Sequence, residues 1–204
     1  MFNRTQKDIL QLLNTLLNFQ KSIININTKE ELNECLIKCQ EAAISVGNEI
    51  EKNDSDLKYI VSELEQYCEI IYSISQTDSY AEIEKYFKLI NDIVNSVIKQ
   101  IKEVKVKYRV VFLPYKADMW DSLESIWVAK DNRFDCKVVA IPYFDANRQT
   151  GQWEPRYDAL RFPKNVPIVP FEEYNLGEMQ PDLAFIHNPF DKYNLVTSVH
   201  PDYY

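Results

Sequence analysis

From residue 1 to about 105, apolar side chains recur every three or four positions, the spacing that gathers them on one side of an α-helix. Ile9, Leu12, Leu13, Leu16, Phe19 or Gln20, and Ile23 form the first stripe. The second runs Leu32, Cys35, Leu36, Cys39, Ala43, Val46 and Ile50. It opens on Thr28-Lys-Glu-Glu31, a capping box whose hydroxyl and carboxylate can satisfy amides left free at a helix start. "NDSD" at 53–56 breaks the chain before a third stripe of Leu57, Ile60, Val61, Leu64, Cys68 and Ile71. A second capping box, Ser79-Tyr-Ala-Glu82, precedes Ile83, Phe87, Ile90, Val94, Val97, Ile98 and Ile101. Short polar connections favour antiparallel neighbours, so the pattern predicts an antiparallel four-helix bundle over residues 1–105.

From 106 to 204 the rhythm changes. "YRVVFLPY" is a continuous apolar run bounded by Pro114, the signature of a strand buried on both faces. "KADMWDSLESIWVAKD" follows with helical spacing, and "CKVVAIPYF" reads as a second strand. "DANRQTGQWEPRYDALRFPKN" is a polar excursion, a hairpin or long loop around Gly151. "VPIVPFEEY" is a short extended piece, "NLGEMQ" a turn or brief helix, and "PDLAFIHN" a further strand. Strands alternating with helix and loop predict a Rossmann-like open, mostly parallel α/β domain, giving a mixed α/β chain.

Composition sharpens the boundary. All nine prolines lie at or after Pro114, all three tryptophans at or after Trp120, and Gly47 is the sole glycine before residue 105. The net charge of −8, with no run of Lys or Arg, argues against a nucleic-acid partner. No apolar stretch reaches the about 18 residues that a bilayer span needs, and "MFNRTQKDILQLLN" is amphipathic rather than a secretory signal. Cys35, Cys39, Cys68 and Cys136 match neither a disulfide framework nor a zinc site. Cys35 and Cys39, one turn apart, could begin a metal site, but no His lies near them in sequence and both fit a core stripe. A reducing, cytoplasmic setting is expected, without metal or cofactor. A di-metal bundle is disfavoured because the helical stripes carry no histidine. NAD binding is disfavoured because "FLPYKADMWDS" has no glycine.

In an open parallel sheet, ligands bind beyond the carboxyl ends of the strands. "PYKADMWDS", "PYFDANRQ" and "HNPFDKYN" arrive there, which sets Lys116, Asp118, Asp121, Ser122, Asp145, His187, Asn188 and Asp191 along one rim. A plainer reading stands beside each. Asp118 or Asp121 can equally serve as a helix cap extended by Ser122, and Trp120 and Trp127 read as core, with Trp120 also kept as a candidate substrate contact. His187, one residue past an apolar strand, is either a working acid/base group or the holder of the Asn188-Pro189 turn. His200, before Pro201, is the weaker candidate. No Ser-His-Asp order, paired glycosidase carboxylates or phosphate-cradling glycine loop is evident.

"VVFLPYKADMWDSLESIW", "VVAIPYFDAN" and "IHNPFDKYNLVTSVHPDYY" together resemble the amino-terminal half of the CDP-glycerol glycerophosphotransferase family, the teichoic-acid polymerase type of Gram-positive bacteria. The likeness spans roughly residues 107 to 204 and rests on three ordered motifs. The helical half corresponds only loosely, in that some relatives carry a helical extension. The resemblance implies the amino-terminal domain of a GT-B-type transferase, which offers the acceptor side of a cleft. A carboxyl-terminal domain would bind CDP-glycerol, so the chain is expected to stop short of its donor half and to be inactive alone. The implied reaction is attack of an acceptor hydroxyl on the β-phosphate of CDP-glycerol with loss of CMP, His187 acting as general base. Lys116, Asp118, Trp120, Asp121, Ser122, Asn188 and Asp191 would contact substrate. The implied acceptor is a polyol-phosphate or glycan-lipid polymer, with peripheral association of the full protein at the inner face of the membrane. The rival is a non-catalytic binding or assembly module.

Overall fold

The computed structural model of the chain describes residues 1–23, 26, 28–189 and 194–199. Two compact units divide it, Met1–Val106 and Lys107–Tyr204. The fold is mixed α/β and rich in helix. Among the described residues no helix is long and apolar enough to cross a membrane.

The first unit is built from α1 (Asn3–Ile23), α2 (Lys29–Asn53), α3 (Lys58–Gln76) and α4 (Tyr80–Glu103). Each packs against the next, and α1 also packs against α4, so their apolar stripes share one core. On α1 the buried line is Ile9, Leu13, Leu16, Gln20 and Ile23, which decides between Phe19 and Gln20 in favour of Gln20. Leu12, expected inside, is about half exposed at 47%. On α3 the stripe turns slightly, burying Tyr67 and Ile74 while Val61 and Cys68 are only partly covered. The two capping boxes differ. Ser79 accepts from the Glu82 amide at 3.5 Å, as a capping hydroxyl should. Thr28 instead donates to the Glu31 carboxylate at 2.8 Å and caps no amide with its side chain.

The second unit holds two sheets among the described residues. The first joins β1 (Tyr108–Leu113), β2 (Phe134–Val139), β5 (Ile168–Val169) and β6 (Leu183–Ile186) in the order β5-β2-β1-β6, every pairing parallel. The second joins β3 (Tyr143–Ala146), β4 (Trp153–Arg156) and β7 (Thr197–Val199) in the order β4-β3-β7, antiparallel. Helices α5 (Asp121–Val128) and α6 (Leu176–Met179) lie in the connections.

Strand β1 explains the continuous apolar run, because successive side chains enter opposite cores. Val110 and Phe112 pack with Trp120, Leu123, Val138 and Phe162. Val111 and Leu113 pack with Tyr115, Val139, Tyr143 and Val199. "CKVVAIPYF" is not one strand but two: β2 ends at Val139, and Tyr143 begins β3 in the other sheet. Pro142 between them supplies no amide, which favours a break in the ladder at that point. The polar excursion contains the β3–β4 hairpin, closed where Gly151 adopts φ 69° and donates to the Asn147 carbonyl at 2.8 Å. The helix expected from Lys116 begins only at Asp121, preceded by a 3-10 turn at Ala117–Met119.

Gln20 is 0% exposed, and neither its amide nitrogen nor its oxygen has a hydrogen-bond partner among the described residues. A buried unpaired amide costs about 1–3 kcal/mol. Replacing it by an apolar side chain of similar shape, Gln20→Met, is expected to stabilise the helical unit by about that amount. Urea unfolding followed by circular dichroism would register this as a higher midpoint at unchanged slope.

Candidate functional site

All strands of the first sheet run the same way, so the segments after Leu113, Val139 and Ile186 leave it at one edge. Tyr115 and Lys116 follow β1, His187 follows β6, and Tyr143 and Asp145 stand on β3. Tyr115 is 3% exposed and makes edge-to-face contacts with both Tyr143 (5.3 Å between centroids) and His187 (5.5 Å). The three rings link the ends of β1 and β6 to the second sheet.

A carboxylate holds this arrangement together. Asp158 is 6% exposed and lies at the start of the 3-10 turn Ala159–Arg161. Burial of a charge is tolerated only where donors meet it. Asp158 accepts from the Ala117 amide at 3.3 Å and from the Arg161 guanidinium at 3.1 Å, and the Tyr143 phenol lies close beside it. Burial, with Asp158 and Asp145 nearby, pushes the Tyr143 phenol up to about 12, so it stays neutral. Arg161 also reaches Asp118, at 3.0 and 3.2 Å to its two oxygens. Lys116 pairs with Asp145 at 3.3 Å and lies over the Tyr143 ring.

His187 is half-buried, and both ring nitrogens are closed to solvent without a hydrogen-bond partner among the described residues. Burial lowers its affinity for a proton below the ordinary value of 6.5, against a weaker opposing pull from the Met119 carbonyl. That carbonyl lies outside hydrogen-bond geometry to the ring and instead accepts from the Ser122 hydroxyl at 2.8 Å. The imidazole is therefore neutral near pH 7.

The structure thus brings together Lys116, Asp118, Asp145 and His187, the last through Tyr115. Asn188 is half-buried and partnered. Asp121 and Ser122 are exposed on the first turn of α5. Neither Asp118 nor Asp121 caps a helix with its side chain, which corrects the capping reading. Asp118 is drawn to Arg161 instead. Trp120 is corrected as a substrate contact: it is 1% exposed, ringed by Phe112, Trp127 and Phe162 in the core. Asp191 and His200 lie outside the described residues.

Sequence reasoning passed over Tyr143, Asp158 and Arg161. The available signal was "DALR", an acid and a base three residues apart within the polar excursion. Among the described residues no three His, Cys, Asp or Glu side chains stand together so as to hold a metal ion. What remains chemically is an exposed Asp118 and a half-exposed Asp145, whose free lone pairs can accept from hydroxyl groups, beside a neutral imidazole. Compared with family models, curated proteins and solved structures, the chain matches none.

Two outcomes follow. Asp158→Asn removes the charge that three segments share and is expected to cost about 1–3 kcal/mol of stability in thermal or urea unfolding. For His187 the folded affinity for protons lies below the unfolded one, so the unfolded chain binds more protons as pH falls through 6.5. The parent protein is then expected to lose stability relative to His187→Gln between about pH 7.5 and 5.5. Parallel denaturation curves across that range would read the difference.

Proposed function

We propose that the Lys107–Tyr204 unit is the acceptor-side half of a transferase that moves a polyol phosphate, with CDP-glycerol as donor, onto a polyol-phosphate or glycan-lipid polymer. The observation that carries this reading is His187. It follows β6 directly at the carboxyl edge of a parallel sheet, where α/β enzymes place their ligands. It is neutral and, among the described residues, unpaired, the state in which an imidazole can take a proton from an attacking hydroxyl. Asp118 and Asp145 stand ready to accept from the polyol, and Lys116 and Arg161 supply positive charge for its phosphates. The same proposal includes an up-and-down four-helix bundle for the first unit, a GT-B-like role for the second, and work at the inner face of a membrane.

One observation favours a second reading, a non-catalytic binding or assembly module. Every charged side chain in the Asp158 cluster is already matched by another, and the His187 nitrogens face no solvent.

Calorimetry separates the two. Titrated with a glycerol-phosphate oligomer, the chain is expected to bind, and Lys116→Ala to weaken the binding. CDP-glycerol is expected to bind weakly or not at all, because this unit offers it no phosphate-cradling glycine loop. Micromolar binding of CDP-glycerol would overturn the acceptor-side assignment. Silence with the oligomer would favour the module.

A further inference from the structure

Between α2 and α3 runs an open groove of about 470 Å³. Its floor is apolar and small-featured, made by Ala43, Gly47, Val61 and Leu64. Its rim carries Glu51, Glu65 and Glu69, and no Lys, Arg or His lines it. Ile44 lies along it 52% exposed. Two turns earlier on the same side of α2, Ile37 is 55% exposed, and Tyr72, seven residues after Glu65 on α3, is 63% exposed.

Gly47 makes the groove harder to dismiss as ordinary surface. A glycine inside a helix costs about 1 kcal/mol relative to alanine. Contact between α2 and α3 does not demand it, since an added Cβ would meet Val61 at 3.8 Å and Leu64 at 3.9 Å, ordinary packing distances. Its effect is to leave the floor open.

We propose that this groove is the docking surface for a basic amphipathic helix of another protein, with its apolar ridge on the floor and its Lys or Arg flanks against the three carboxylates. The chemistry selects that occupant. An apolar helix face laid in an apolar groove is a recurring recognition mode, and complementary charge fixes partner and register. A second copy of this chain would bring the same acidic rim against its own. Anionic lipid and nucleic acid would be repelled likewise.

The test uses the full 204-residue chain and labelled synthetic peptides with Leu at three- and four-residue spacing, flanked either by Lys or by Glu. Fluorescence anisotropy is expected to show saturable binding of the Lys-flanked peptide alone, weakening as salt rises. Reversing Glu51, Glu65 and Glu69 together to Lys should weaken it at least roughly tenfold. Gly47→Ala should also weaken it, several-fold, while the protein melts no lower than the parent, so that a folding defect cannot explain the loss. Equal binding of the two peptides, no binding of either, or binding that ignores both sets of substitutions overturns the proposal. Attachment of the parent protein to anionic vesicles would also overturn it.

Discussion

A carboxylate removed from water has to be met by donors, and at Asp158 that requirement shapes the carboxyl edge of the α/β unit. Its donors are the Ala117 amide after β1 and Arg161 from its own turn, and the Tyr143 phenol on β3 lies beside it. Each is then committed. Arg161 carries Asp118 with it, and Tyr143 lies against Tyr115, which lies against His187. The parallel sheet decides where these segments emerge. The buried charge decides how they lie once they have emerged.

The two units differ in what makes them cohere. In the helical unit, stripes at positions such as Phe87, Ile90, Val94, Val97 and Ile101 meet stripes on neighbouring helices, and each helix is defined mostly by its own sequence. In the α/β unit, Phe112 stacks on Phe185 at 4.8 Å and Trp120 meets Phe162 at 5.9 Å, contacts between segments far apart in the chain. That difference governs what could be read in advance. The helical stripes were legible almost residue by residue, apart from Leu12, which is half exposed, and a rotation of α3 that buries Tyr67. The strands of the parallel sheet were legible as apolar runs, whereas β4 and β7 were not. That one run would be divided between two sheets at Pro142 was not, because an apolar stretch does not say which neighbour will hydrogen-bond to it.

For the candidate site, the rim and its place at the strand ends could be read from the alternation of apolar and polar segments. Lys116, Asp118, Asp145 and His187 were all visible that way. Asp158 and Arg161 were not, because they sit in a polar stretch whose role depends on a long-range fold. No local pattern tells a solvated Asp from one buried at 6% exposure. Trp120 was ambiguous for the opposite reason. A tryptophan beside polar residues fits a core or a ligand platform equally, and only its packing against Phe112, Trp127 and Phe162 decides.

Strand β1 sits at the centre of its sheet, yet one of its two partners is β6, whose register runs from Val110 opposite Leu183. Asp182 clamps the Arg109 amide across a separation of 73 residues. At synthesis rates of about 5–20 residues per second, roughly 4–15 s pass after β1 appears before β6 exists to cover that side. During that interval "VVFL" is an unpaired apolar edge able to pair with other chains. The helical unit, made earlier and from local contacts, has time to fold in full. An interval of exposure to mispairing therefore falls between the birth of β1 and the arrival of β6.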